Sequence, residues 1–349
     1  MIVYSKSTGL VNAAIGRLET PIKMIIEHES DLLTKKGGIC SWLFNVEKSS
    51  RFGETIVGQS EFDVFHCAKE GAGADIDSIN ETSSKFIEHI QFMKEFVVTA
   101  EMMEDANFGV ASEAKRRAEN FTRAYYKTMN KLCETALGNA TLAVTGFAGT
   151  QLDLTTSDGK PLFSSDHEWG NKLTSWGTQS NYFYGDIFGT GPNESRVFST
   201  EAFEEALSEL SIKLRNMKDE NGDPLGYSAD TIILPGNKPK IEIIAKKVCG
   251  SISALGNGFN DINLNYGNWN IVILPNWRPE NNCCMIMSSE ANKNLSGNMF
   301  FNRVPLTVSN WVDHHTGNYI WNGRCRFGIG FGSYKHILYA LDNGSSSNL

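Results

Sequence analysis

The sequence predicts an α+β fold, and three patterns support this prediction. Apolar and polar residues alternate with a period of two in runs between residues 42 and 98, as in β-strands. Apolar residues recur at steps of three and four between residues 111 and 138, as along one face of a helix. Short apolar runs flank a helical segment between residues 220 and 295, and the chain returns to a β pattern from residue 304.

The composition is that of a folded protein with a sizeable core. Of 349 residues, 41% are hydrophobic and 21% charged, which excludes a disordered or collagen-like chain. The formal net charge of −8 argues against tight binding of nucleic acid as the main function, because proteins that grip DNA carry a basic surplus. The 7 cysteines include no Cys-x-x-Cys pair, so we predict core thiols in a reducing compartment. The sequence shows no secretion signal and no apolar run of about 18 residues, so we expect a soluble, unexported protein.

The first hundred residues predict an arm followed by a hairpin. Residues 1–40 show no regular spacing of apolar residues but contain a largely apolar stretch at 21–26. We therefore expect an arm that packs on a neighbour. Two alternating runs, 61–66 and 86–92, flank a turn-rich tip at 69–75, which predicts a long antiparallel hairpin. Because an isolated two-stranded ribbon is marginal in water, we expect this hairpin to lie on another subunit.

The rest of the chain alternates between helices and short strands. The helix over residues 111–138 would be about 42 Å long at about 1.5 Å per residue, and we expect its basic residues to form a solvated face. Residues 140–198 predict short strands and loops, and a second helix begins at Ser199 or Thr200 and ends before residue 221. The later predictions are strands at 231–235, 270–275 and 283–287, a helix at 240–248, β structure from 304 and a disordered tail at 342–349.

Two histidine segments are the best candidates for metal or acid–base chemistry. They are Asp166-His167-Glu168 and Asp313-His314-His315. Adjacent residues of a strand point to opposite faces, so a zinc site would require both segments to meet. The alternative is that both are polar turn residues.

Other chemical motifs are missing from the sequence. It contains no phosphate loop, no G-x-S-x-G and no H-E-x-x-H, and we predict no catalytic and no cofactor-binding residues. We expect Gly328, Gly330 and Gly332 to permit close backbone approach or a bulge.

The order of elements and five local matches carry a resemblance to a known family. The matches are DGKPLFSSDH at 158–167, DTIILP at 230–235, WNIVILP at 269–275, RVPLTV at 303–308 and WNGRCRF at 321–327. Over roughly residues 40 to 340 the chain resembles tailed-bacteriophage major capsid proteins of the Hong Kong 97-type fold, particularly the Mu-type major head subunits.

The resemblance implies a division of the chain into named parts. They are an N-terminal arm (1–40), an extended hairpin or E-loop (41–99), a peripheral domain (100–219 and 296–349) built on a spine helix (108–138), and an α/β axial domain (220–295).

The function implied is structural. The subunit would assemble into hexamers and pentamers of an icosahedral shell around double-stranded DNA, without enzymatic activity, cofactor, metal or membrane. Its other partners would be a separate scaffolding protein and a portal, and it would reside in the virion after assembly in the bacterial host cytoplasm. The candidate inter-subunit contacts are Phe62, Phe65, Lys69, Lys85, Phe86, Ile90, Phe92, Arg116 and Arg117.

Two alternative functions remain open at this point. One is a metal-dependent hydrolase that uses His167, His314 and His315. The other is a different phage structural subunit, such as a tube or decoration protein, which the long helix disfavours.

Overall fold

A computed structural model describes most of the chain. The described residues are 3–4, 13–59, 67, 70, 81–99, 101, 110–169, 177–185, 187–188, 199–250, 263 and 265–342. The helices are α1 (Ala13–Lys36), α2 (Ile39–Leu43), α3 (Val110–Gly138), α4 (Thr200–Arg215), α5 (Pro239–Gly250) and α6 (Ser289–Asn294). The strands are β1 (Val3–Tyr4), β2 (Asn45–Lys48), β3 (Gly53–Gln59), β4 (Glu81–Glu88), β5 (Ile90–Val98), β6 (Val144–Phe147), β7 (Thr150–Asp153), β8 (His167–Trp169), β9 (Gly177–Gln179), β10 (Tyr182–Gly185), β11 (Thr231–Pro235), β12 (Asn270–Leu274), β13 (Asn282–Met287), β14 (Asn298–Val312), β15 (Tyr319–Phe331) and β16 (Ile337–Asp342).

The first sheet is built on two long antiparallel strands, β14 and β15. Its order is β1-β14-β15-β5, and β2 also pairs with β14. Buried aromatic residues of this sheet, among them Phe300 and Phe327, share one core with Leu132 and Ala136 of α3. The long amphipathic helix and the late β segments are therefore confirmed, with α3 described from Val110 onward.

The second sheet has the order β10-β16-β13-β11-β12 and packs against α4 and α5. The predicted elements here are confirmed, including Ser199 as the N-cap of α4, whose hydroxyl accepts from the Ala202 N–H at 3.3 Å. Strands β10 and β16 also belong to this sheet, although both lie outside residues 220–295. Asp342, which we expected in a disordered tail, ends β16, and residues 343–349 lie outside the described chain.

The expectation of an arm that needs a neighbour is wrong for residues 13–36, because they form a helix that packs on α3 of the same chain. Ile22 and Ile26, one turn apart, are buried against α3 and the first sheet. The Arg123 guanidinium donates to Glu29 at 2.6 Å. Exposed apolar residues such as Met24, 64% accessible, lie on the outer face of α1, and they obscure the helical period in the sequence.

The second strand of the predicted hairpin ends earlier than its alternating pattern suggested, at Glu88. Strands β3 and β4 pair antiparallel, with Thr55 opposite Phe86, while the predicted run at 61–66 lies outside the described residues. The run at 86–92 is not one strand, because His89 separates β4 from β5 and β5 pairs with β15 in the first sheet. This second half of the run is thus part of the chain's own core.

Two predictions about the whole chain can also be compared with the structure. Six of the cysteines are buried and Cys67 is exposed, which agrees with the prediction of core thiols. Within the described residues, no helix combines the length and apolar character needed to cross a membrane.

Candidate assembly surfaces

The base of the β3–β4 hairpin is seated on a row of glycines in β15. Ile87 is buried, and a β-carbon built on Gly330 would stand 2.5 Å from its Cδ1 atom. A β-carbon on Gly328 would stand 3.0 Å from the Glu88 carbonyl oxygen. The predicted role of these glycines in close approach is therefore confirmed, since any larger residue would lift the hairpin off the sheet.

An ion pair between a buried lysine and a half-exposed aspartate ties the same hairpin base to β7. The Lys85 ammonium, whose side chain is 9% exposed, pairs with Asp153 and also donates to the Thr155 hydroxyl. Partial burial by itself raises the pKa of Asp153, but the bonds from Lys85 and Thr155 outweigh it and hold that pKa below its usual value. The charge on Lys85 is thus neutralised within its own chain.

The bend at His89 is held from both sides. The buried imidazole donates through Nδ1 to the Phe52 carbonyl oxygen at 2.7 Å. The Arg326 guanidinium donates to the His89 carbonyl oxygen at 3.2 Å and lies 5.4 Å from the centre of the Phe52 ring. Both strands of the hairpin are therefore fixed to β15 at their base.

Three apolar side chains at the hairpin are open to solvent, next to the exposed Thr55, Ser84 and Glu88. Phe52, Phe86 and Val57 are 64%, 53% and 40% exposed. Phe86 lies over Gly53, where an added β-carbon would stand 2.3 Å from the ring. Exposed apolar side chains on a two-stranded element whose base is fixed are typical of protein–protein contact.

The basic residues of α3 serve mainly local ion pairs. Arg116 and Arg117 both pair with Glu113, at 2.9 and 3.2 Å, and these bonds lower the Glu113 pKa. Arg117 also donates to the Val97 carbonyl oxygen at 2.6 Å, which joins α3 to β5. This arrangement agrees with the expected solvated face.

The other predicted contact residues fall into two groups. Phe62, Phe65 and Lys69 lie outside the described residues. Ile90 and Phe92 pack on the chain's own core, with the Phe92 ring stacked on Phe327 at 4.8 Å, so these two are not retained as contact candidates. The exposed Phe52 and Val57 were missed, because the segment that contains them shows no alternation of apolar and polar residues.

The two histidine segments have different environments. His167 is fully buried, its ring is stacked on Tyr334 at 3.8 Å, and its nitrogens face Asp158 Oδ2 at 2.6 Å and the Leu162 carbonyl oxygen at 3.1 Å. Both ring nitrogens are thus occupied by contacts within the chain, and the ring serves a structural role. His314 and His315 are exposed in the turn between β14 and β15.

The metal-dependent alternative is not supported by these environments. Among the described residues, no three His, Cys, Asp or Glu side chains are grouped so that they could hold a metal ion. The polar-turn interpretation suits His314 and His315, since Asp313 accepts from the His315 N–H at 3.1 Å and from the Thr316 hydroxyl. The hydrolase is therefore disfavoured.

Comparison with solved structures finds this architecture among phage shells. The capsid of the Myoviridae phage XM1 matches with a TM-score of 0.51 and 13% identity, over 87% of this chain and 92% of that chain. The capsid of the cyanophage P-SCSP1u matches with a TM-score of 0.50 and 11% identity, over 88% and 89% of the two chains.

The chain has the Hong Kong 97-type capsid fold. The capsid fold is α+β, as predicted, and the two matches extend over most of both chains. No protein-family model and no curated protein matches the sequence. The capsid fold is therefore identified through its tertiary structure.

Proposed function

We propose that the protein is the major capsid subunit of a tailed phage or prophage, which assembles into hexamers and pentamers of an icosahedral shell around double-stranded DNA. The observation that carries the proposal is the capsid fold, which this chain shares with two phage capsid structures over most of its length. The proposed role is structural, without catalysis.

The hairpin supports this proposal because it is fixed to the first sheet at its base and exposes large apolar side chains. A subunit that exposes Phe52 and Phe86 at more than half of their surface would gain stability by covering them with a second copy. In a shell, each hairpin would lie on the adjacent subunit. Full burial of an aromatic side chain contributes about 1.5–3 kcal/mol. Because only the exposed 64% of Phe52 and 53% of Phe86 would be newly covered, the two rings together would contribute roughly 2–4 kcal/mol per contact.

The domain limits given above become part of the proposal. Residues 1–40 would be the N-terminal arm, of which 13–36 pack on α3 of the same chain. Residues 41–99 would be the E-loop, 100–219 with 296–349 the peripheral domain, and 220–295 the axial domain. The second sheet draws β10 and β16 from the peripheral ranges, so these two strands would join the axial and peripheral domains.

The remaining partners are also proposed. A separate scaffolding protein and a portal would act during assembly in the bacterial host cytoplasm, and the mature subunit would reside in the virion. The net charge of −8 suits a container that encloses DNA without gripping it at every subunit.

Electron microscopy of the purified protein tests the proposal. We expect closed shells, formed by the chain alone or together with its scaffolding protein. A chain that stays a monodisperse monomer under all conditions, or that forms open cylinders, would contradict it.

A substitution at the hairpin makes the test specific. Phe86→Glu places a charge on the exposed face and should leave the circular dichroism spectrum unchanged while it abolishes shells. Phe86→Leu is the matched control and should still form them. Shells formed equally well by both variants would exclude the outer face of the hairpin as a contact.

A further inference from the structure

The exposed side of α3 is basic. Among the described residues of this helix, five of the six exposed positions are basic and none is acidic; they are Lys115, Arg116, Asn120, Arg123, Lys127 and Lys131. From residue 116 onward they recur at steps of three and four, so they form one stripe along the helix. At about 1.5 Å per residue, the stripe from 115 to 131 is about 24 Å long.

The end of α1 lies beside the second half of this stripe. Lys36, in the last turn of α1, lines a cavity together with Tyr126 and Asn130 of α3. The residue that follows each of these two α3 residues is an exposed lysine of the stripe. Four exposed lysines therefore come from adjoining parts of the two helices, and we call them the basic face: Lys35, Lys36, Lys127 and Lys131.

Ion pairs within the described part of the chain do not neutralise the basic face. Arg123, in the same stripe, pairs with Glu29 at 2.6 Å, whereas none of the four lysines pairs with a carboxylate of the described residues. Exposed acids in the described part of these two helices occur only on α1, at Glu27 and Asp31. The basic face therefore offers positive charge to an anionic partner.

The helices and the hairpin cover opposite faces of the first sheet. Phe327 and Ile329 of β15 belong to the core that the sheet shares with α3. The alternate positions, Gly328 and Gly330, face Ile87 of the hairpin. Successive residues of a strand point to opposite faces, so α3 lies on one face of the sheet and the hairpin base on the other. The exposed stripe of α3 is thus turned away from the hairpin base.

The hairpin segment is as acidic as the α3 stripe is basic. Residues 53–88 contain 8 Asp and Glu but only 2 Lys and no Arg. Phosphate groups are repelled by acidic surfaces and attracted by basic ones. We propose that the layer of α1 and α3 is the inner surface of the shell and that its basic face contacts the phosphate groups of the enclosed double-stranded DNA. This inference rests on the proposed function and adds which side of the subunit meets the DNA.

The contact would be weak, independent of DNA sequence and sensitive to salt. Lysine binds phosphate as a point charge. On double-stranded DNA, the logarithm of the binding constant falls with the logarithm of the salt concentration by about 0.9 per phosphate neutralised, or about 3.6 for four lysines. Binding would thus weaken on the order of 100-fold between about 50 and 200 mM salt. Many weak contacts on one DNA molecule suffice in a shell, because they act together.

Binding of the purified, unassembled chain to a short duplex of arbitrary sequence tests the contact. Fluorescence anisotropy at several salt concentrations between about 50 and 200 mM gives the affinity and its salt dependence. Lys127→Gln combined with Lys131→Gln should weaken binding at least about tenfold at the lowest salt and reduce the slope by about 2. Glutamine keeps the helix propensity, so the melting temperature should stay unchanged.

The matched control removes two exposed lysines of α5. Lys246→Gln combined with Lys247→Gln lowers the net charge equally and should retain the affinity and the slope. An equal loss in this control would show an effect of net charge alone and would overturn the proposal. Unchanged binding in the α3 variant would overturn it as well. If the α3 variant still binds the duplex but no longer forms shells, the basic face contacts a protein, which also contradicts the proposal.

Chemical labelling of assembled shells tests which side faces inward. The variant is Lys131→Cys on a Cys67→Ser background, which removes the exposed thiol. A maleimide on a long polyethylene glycol chain should label the unassembled chain but not closed shells, whereas the small N-ethylmaleimide should label both. Labelling of closed shells by the large reagent would place the basic face outside.

Protection of residue 131 from both reagents would place it in a contact between subunits and would likewise overturn the proposal. If no shells form, the proposed function fails and the inner surface with it, while the duplex measurement still decides whether the basic face binds DNA.

Discussion

Ile87 of the hairpin packs directly against Gly330 of β15, where a β-carbon would stand 2.5 Å from the Ile87 Cδ1 atom and 2.7 Å from its Cγ1 atom. Gly330→Val should therefore displace the hairpin and lower the free energy of unfolding by roughly 1–3 kcal/mol, the usual cost of overpacking. Urea denaturation measures this loss. Gly146→Val is the control, because nothing lies within 4 Å of that position, and equal losses in the two variants would contradict the close packing.

Loss of the Lys85–Asp153 ion pair at the hairpin base should also destabilise the protein. Asp153→Asn leaves the buried ammonium without its carboxylate, and we expect a loss of roughly 1–3 kcal/mol in the free energy of unfolding. The lower end is expected because the Asp153 side chain is 57% exposed.

A double variant separates the pair from its individual members. Lys85→Met combined with Asp153→Asn should recover part of the loss, since no buried charge remains. If the double variant is instead as unstable as the sum of the two single variants, the pair has no coupling energy.

The close contact between Gly138, the last residue of α3, and Trp277 predicts a steric effect of substitution. A β-carbon on Gly138 would stand 2.6 Å from Trp277 Cδ1, and Trp277 follows Asn276, whose N–H donates to the buried Glu134 at 2.6 Å. Gly138→Ala should therefore destabilise the protein by roughly 1–3 kcal/mol, although alanine normally favours a helix.

The matched control for this effect is the last residue of α5. Gly250 has nothing within 4 Å of its β-carbon position, so Gly250→Ala should be neutral or stabilising by up to about 1 kcal/mol. Thermal unfolding of both variants provides the comparison. If Gly138→Ala instead raises the free energy of unfolding, Trp277 can move aside without destabilising the protein.

His336 predicts a dependence of stability on pH. Burial lowers the pKa of its imidazole from 6.5 to about 3. Its Nε2 donates to Asn298 Oδ1 at 2.9 Å, and the Asn298 amide donates to the Leu43 carbonyl oxygen at 3.0 Å, so the network holds the neutral ring. Below pH 6.5 the His336 imidazole binds a proton in the unfolded chain but stays neutral in the folded chain. This contribution to stability is complete above pH 6.5 and falls with decreasing pH until about 3, by up to about 1.4 kcal/mol per pH unit.

Urea denaturation at pH 7.5, 6 and 5 measures this slope. We expect His336→Gln to make the dependence shallower than in the original chain, whatever its effect at pH 7.5. His28→Gln, at an exposed position on α1, should leave the slope unchanged. Identical slopes in all three proteins would exclude His336 as the source.

Local patterns were sufficient wherever an element has one buried face and clear end signals. The apolar positions of α3 recur along one face, and the Ser199 cap marks the start of α4, so both helices could be predicted from spacing. Strand β11 is buried along its whole length, and its continuous run Thr-Ile-Ile-Leu-Pro was equally clear. The glycines of β15 could be assigned to close approach, although their partner, Ile87, could not be named.

The tertiary structure decided the features that depend on contacts between distant segments. One residue, His89, reverses which alternate positions are buried: Lys85 and Ile87 before it are buried, whereas Ile90 and Phe92 after it are partly buried. A continuous alternating pattern cannot reveal such a break, because the bend depends on hydrogen bonds to Phe52 and Arg326.

The sequence by itself determined the fold class, the long helix, the elements between residues 220 and 295 and the resemblance to a capsid subunit. Only the tertiary structure decided that α1 packs on α3, that β10 and β16 complete the second sheet, and that His167 and the turn at 313–317 lie in different environments. The physical reason is the distance along the chain over which each kind of interaction acts. Helical periods and caps act between residues a few positions apart, whereas sheet partners and buried polar pairs are set by the three-dimensional arrangement of segments that are far apart in the chain.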